Sequence, residues 1–143
     1  MCVFLPCRRG QVWAVPQNCL GEIVTLPAQG ASAPPSIDWR GQRVPVIDFG
    51  GAGDAAWVDE KTATGLVAVF LGIRGQACDY WGLALRGSGL GVRRVEEATC
   101  TDRPDACGEH ALAAFEFEGA IYQVPDLPAL QAFACQEGRA ASA

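Results

Sequence analysis

The residues able to do chemistry are few, and one group holds most of them. His110 is the only histidine, and it follows Cys100 and Cys107 with the spacing C-x6-C-x2-H in the stretch CTDRPDACGEH. A thiol beside an imidazole could form a nucleophile and base pair, but nothing in the local sequence would lower either thiol's pKa. Three such groups could also start a zinc site. Zinc sites use C-x2-4-C knuckles because one tight turn must aim both thiolates at the ion. The gap here is longer and holds Pro104. His110 is therefore expected to be an exposed loop histidine, and no metal or cofactor is expected.

Other candidates fare no better. RGSGLGV, residues 86–92, has Val92 where a dinucleotide fingerprint needs its third glycine, and it leads into a strand-like run. DFGGAGD, residues 48–54, lacks the Lys and Ser/Thr of a phosphate-binding loop. The carboxylates of Glu116 and Glu118 alternate along a strand pattern, which suits a solvated face better than paired acid and base groups. Trp13, Trp39, Trp57 and Trp81 read as core residues, with interface anchoring as the alternative. By its chemistry the chain reads as a non-enzyme.

Composition points the same way. Of 143 residues, 16 are acidic and 11 basic, for a formal charge of -5, which argues against binding nucleic acid through its phosphates. No apolar run approaches the length of a membrane helix, so no direct membrane insertion is expected. The leading MCVFLPCRRG has its charges after a short apolar run, the reverse of a secretory signal. The seven cysteines, Cys2, Cys7, Cys19, Cys78, Cys100, Cys107 and Cys135, are odd in number. They read as small hydrophobes kept reduced in a cytoplasmic protein.

The elements that would position these groups are mostly strands. Short runs rich in Val, Ile, Phe, Tyr and Trp recur between Gly, Pro, Asn and Asp punctuation, near residues 3–6, 12–16, 22–27, 43–49, 66–73, 80–85, 92–98 and 113–124. The last is a hairpin turning at Gly119, and CRRGQ, residues 7–11, is a similar turn. A short turn is expected over residues 17–21. One helix is expected over about 126–137, capped by Asp126, ended by Gly138, with Leu127, Leu130 and Phe133 on one face. Residues 28–36 and 49–56 read as loops. The fold class is mainly β, one domain over residues 1–143; the loop at 49–56 divides it near its middle, so two small β subdomains with a boundary near 50–60 fit the pattern as well as one barrel does.

The segment SIDWRGQRVPVIDFG, residues 36–50, resembles the central motif of CheW-like domains: a strand ending in Arg40–Gly41, then a returning strand with Val44, Pro45, Val46, Ile47, Asp48 and Phe49. Pro45 would have to lie at a bulge or an edge. QVWAVPQNCLGEIVTLP, LVAVFLGIRGQACDYWGLAL and EFEGAIYQVPDLPAL are compatible with the rest of that family, so the resemblance spans about residues 3–134. The match is that of a divergent member. Pro35 stands where the family has a glycine, and Arg86 where it carries an acidic residue.

The resemblance implies two intertwined, five-stranded, SH3-like β barrels with a C-terminal helix and no catalytic activity. It implies an adaptor that couples the cytoplasmic tip of a chemoreceptor (a methyl-accepting chemotaxis protein) to the regulatory domain of a CheA-type histidine kinase, serving flagella or type IV pili. Carried over residue by residue, Arg40 and Gly41 would face the receptor, Leu20 and Glu22 would border the groove between subdomains, and Asp48 belongs to the same interface set. The alternative from the residues alone is a ligand- or redox-sensing β module built on Cys100, Cys107 and His110.

Overall fold

The computed structural model describes residues 1–8, 11–28, 30, 32–50, 55–72, 78–87 and 90–142, with helix side chains through Gln136. In chain order the strands are β1 (Cys2–Arg8), β2 (Gln11–Pro16), β3 (Leu20–Pro27), β4 (Ser36–Trp39), β5 (Gln42–Ile47), β6 (Val58–Asp59), β7 (Thr64–Leu71), β8 (Tyr80–Ala84), β9 (Gly91–Arg93), β10 (Cys100–Asp102), β11 (Ala111–Phe117) and β12 (Ala120–Pro125). Helix α1 (Leu127–Ser142) closes the chain. The turn expected at residues 9–10 and parts of the loops at 28–36, 49–56 and 86–92 lie outside the described residues.

These strands form two curled, six-stranded sheets. One has the order β10-β11-β12-β2-β1-β9; the other runs β3-β7-β8-β5-β4, with β6 added to β7. The first two strands thus share a sheet with the last four. The chain crosses to the second sheet through the 3-10 turn Gln17–Cys19 and returns between β8 and β9. Of residues 50–60, where a boundary was expected, the described ones include the end of the connection from β5 to β6 and β6 itself, which pairs within the second sheet. A parallel contact, Gln123 against Trp13, joins β12 to β2. The resemblance implies five strands per barrel; the sixth in each sheet comes from two- and three-residue pieces, of which β6 and β10 are too short to register as hydrophobic runs.

The burial pattern explains the apolar runs. Along β7, Ala68 and Phe70 enter a core lying between the sheets, while Val67 and Val69 enter the core inside the second sheet. A strand buried on both faces needs no polar alternation, so LVAVF reads as continuous. The shared core holds Leu5, Trp13, Val15, Trp81, Leu83 and Leu130, and Phe70 stacks on Trp81 at 4.3 Å. Burying each such side chain is worth roughly 1.5–3 kcal/mol. A smaller core around Phe4, Ala14 and Phe117 fills the first sheet. All four tryptophans are buried, as their core reading requires.

Asp126 caps α1 as expected: its Oδ1 accepts the Ala129 N–H at 3.3 Å. The buried face differs from expectation. It consists of Leu130, Gln131, Ala134 and Cys135, with Leu127 partly buried, whereas Phe133 is exposed. Nor does Gly138 end the helix, which runs to Ser142. One interior glycine costs about 1 kcal/mol, which the alanine-rich residues after it can offset. VRRVEEA yields only the short β9 and a 3-10 turn at Glu97–Thr99. Pro45 sits neither at a bulge nor on an edge strand: β5 has neighbours on both sides, and its ladder to β8 begins one residue later, at Val46. The missing N–H therefore leaves no rung of that ladder unmade.

The cysteines also depart from expectation, because Cys78 and Cys135 form a disulfide. They are 57 residues apart, so no local spacing pattern announces the pair. Cys2, Cys7, Cys19, Cys100 and Cys107 remain thiols.

Candidate functional site

Three of the five residues singled out by the resemblance gather at one end of the second sheet. The β4–β5 hairpin pairs Trp39 with Gln42 around a two-residue turn, Arg40 and Gly41. Both turn residues have positive φ, 49° and 78°, the conformation a type I′ turn demands. Glycine takes it without strain, but an arginine there costs roughly 1–2 kcal/mol. The β4–β5 ladder holds Arg40 at the tip of the hairpin against that strain.

Its neighbour Trp39 closes the open side of the sheet. β3 and β4 are the two ends of the strand order, and no backbone ladder joins them. The Trp39 indole crosses the gap, donating Nε1–H to Glu22 Oε1 at 3.2 Å and meeting Tyr80 edge-on at 5.1 Å. Gly21 makes room, since a Cβ there would lie 2.9 Å from the indole ring. The Arg40 guanidinium lies over the same ring at 4.5 Å and within 3.9 Å of Glu22. The side chains of Arg40 and Glu22 are 70% and 50% exposed, so their attraction is screened and adds little to stability. Leu71, at the end of β7, is exposed beside Gly21. The result is a solvent-facing cation, carboxylate and leucine on a rigid aromatic base.

The first sheet has a counterpart with its charges exchanged. Glu118 and Gly119 form the β11–β12 turn with φ of 50° and 82°. Glu118 pairs with Arg93 of β9, whose guanidinium lies 5.3 Å from the Phe117 ring centroid.

The other two expected residues lie elsewhere. Leu20 opposes Phe70 and packs on the shared core, at a register shift in β3. Asp48 follows β5 and is held by Arg86: Nε and Nη2 donate to its two oxygens at 2.8 and 2.7 Å, and the Gly50 N–H adds a third bond at 3.0 Å. Both side chains are largely buried, so this pair ties the fold together.

Cys100, Cys107 and His110 are not arranged as a metal site, and no described residues form a group of three or more His, Cys, Asp or Glu able to hold an ion. The thiols turn to backbone carbonyls, Cys100 toward Glu97 and Cys107 toward Ala111. His110 is partly buried, contrary to expectation, its ring 5.3 Å from Phe49 and 6.0 Å from Phe133. Nearby, the hydrogen bond from Arg103 holds the Asp105 carboxyl below the usual range, and that bond also raises Arg103. Burial pushes the Cys19 thiol up. No described helix is long and apolar enough to cross a membrane.

Sequence reasoning missed Trp39 as the bridge between sheet edges, along with Leu71 and Arg86. Leu71 ends a continuous apolar run, so periodicity could not mark it as exposed. Comparison with protein-family models, with curated proteins and with solved structures finds no match to this chain.

Proposed function

We propose that this chain is a non-catalytic adaptor of the CheW-like kind, linking the cytoplasmic tip of a chemoreceptor to the regulatory domain of a CheA-type histidine kinase. The observation that carries the reading is the Arg40 turn. A strained arginine is held over Trp39 at the tip of a hairpin, where it contributes little to stability, beside Glu22 and exposed Leu71. Arginine and apolar anchors on a rigid base are what protein interfaces use. Arg40, Gly41 and Glu22 are also positions that the sequence resemblance assigns to the interface. On this reading the two curled sheets correspond to the family's two SH3-like barrels, and the site of action is the cytoplasm.

The test is direct binding of the purified protein to a receptor cytoplasmic fragment and to the kinase regulatory domain from the same genome. The expected result is binding that Arg40→Glu weakens by about tenfold or more, equivalent to ~1.4 kcal/mol, with unchanged circular dichroism. Binding to neither partner removes the adaptor reading. Undiminished binding of Arg40→Glu removes the Arg40 surface from it.

A further inference from the structure

The Cys78–Cys135 bond joins the segment that leads into β8 to the second half of α1, with Cα atoms 5.6 Å apart. One turn before Cys135, Gln131 donates Nε2–H to the Cys78 carbonyl at 2.8 Å. Leu130 and Ala134 of the same helix face are fully buried in the core between the sheets. The bond thus lies beside the apolar contact that seats the helix against β5 and β8. At its other end the helix is fastened separately, by the Asp126 cap and by the Asp126 N–H donating to the His110 carbonyl at 2.8 Å.

Two observations bear on what the bond is for. Exposure is unequal: Cys135 is buried, at 5% exposure, whereas Cys78 is only partly buried, so Cys78 is the more accessible partner of the bond. The same chain keeps five thiols, one of them the exposed Cys107. A protein whose disulfides are permanent staples seldom leaves an exposed thiol elsewhere in the same chain, because thiols exchange with disulfides. One disulfide among five thiols suits a reducing setting, where such bonds are transient and regulatory.

We propose that Cys78–Cys135 is a thiol-responsive latch on α1, opened by a dithiol reductant and closed by exchange with a disulfide oxidant, which takes up the two electrons and two protons and leaves as a dithiol. In opening, a reductant thiolate attacks Cys78 Sγ and the Cys78–Cys135 bond breaks, with Cys135 leaving as a thiolate. The reductant's second thiolate then displaces Cys78 from the mixed disulfide. The reductant ends as a disulfide, and both cysteines take up protons as thiols. Among the described residues, the Gln131 bond and the Leu130 and Ala134 contacts still hold the turn before Cys135, and the Asp126 end stays capped. The latch does not depend on the adaptor reading.

The test uses the full chain, equilibrated with mixtures of reduced and oxidised dithiothreitol spanning reducing to oxidising poise. Thiols are counted by alkylation and mass after unfolding, and α1 is followed by amide hydrogen exchange. The expected result is five alkylated thiols in the oxidised form and seven in the reduced form. Exchange in the second half of α1 should be faster by about tenfold or more on reduction, with β7 and β8 unchanged. Cys78→Ala, altered at the more exposed partner, should exchange at the reduced rate whatever the poise. Seven thiols under oxidising conditions, a bond that no mixture opens, or α1 exchange that ignores its state would each overturn the latch.

Discussion

Arg86 grips both oxygens of Asp48, 38 residues away, at 2.8 and 2.7 Å. Its Nη1 donates to the Ala55 carbonyl at 3.1 Å, and its backbone N–H to Pro6 of the other sheet at 2.9 Å. One residue therefore links the end of β5, the connection after it and the opposite sheet. The side-chain bonds to Asp48 and Ala55 need the arginine, whereas the bond to Pro6 is made by the backbone.

Arg86→Met should destabilise the protein. Breaking a buried pair by removing one partner costs about 3–5 kcal/mol, and partial exposure of Asp48 lowers the expectation here to roughly 2 kcal/mol. The double variant Asp48→Asn with Arg86→Met should lose less than the sum of the single changes, because neither charge is left alone. Urea midpoints of the four proteins form a double-mutant cycle. Additive losses would mean the pair contributes no coupling energy.

Arg40→Gly separates stability from binding. Glycine occupies a φ of 49° without strain, so the variant should be as stable as the parent or more so, by up to about 1 kcal/mol. If the arginine is retained for contact with a partner, the same variant should bind the receptor fragment or kinase domain more weakly. A variant that is less stable than the parent would show that the arginine's stacking on Trp39 outweighs its backbone strain.

Cys135→Ser should lower the urea midpoint. Closing a chain separation of 57 residues stabilises by at most about 4 kcal/mol in the chain-entropy account. Dithiothreitol should lower the parent's midpoint in the same direction and leave that of the variant unchanged. A variant midpoint that still responds to the reductant would point to a second disulfide.

Legibility followed sequence distance. The turns at Arg40–Gly41 and Glu118–Gly119 were readable because a glycine and flanking period-2 strands lie within a few residues, and Asp126 because a cap acts three residues ahead. The strand at β7 was readable as buried, but its two faces serve two cores, so the pattern could not say which side chains point where. The Asp48–Arg86 pair, the Cys78–Cys135 bond and the crossing of Trp39 to Gly21 and Glu22 join residues 17 or more apart. Nothing local encodes them. Phe133 was misplaced because the buried stripe of α1 includes Gln131 and small residues, which hydrophobicity alone discounts.

Gln123 shows how a buried polar residue of this kind can be tested. It lies on β12 at 8% exposure, its Nε2–H donating to the Ala106 carbonyl at 2.8 Å and its Oε1 accepting the Gly108 N–H at 2.9 Å. The two bonds brace the backbone on either side of exposed Cys107. Gln123→Leu removes both and leaves a buried carbonyl and N–H to find other partners, at about 1–3 kcal/mol for each group that fails. The loop should then open before the sheet does, so alkylation of Cys107 should speed up by more than global stability falls. Equal changes in labelling rate and in unfolding equilibrium would mean that Cys107 is reached only through global unfolding, and that Gln123 stabilises the whole sheet rather than the loop.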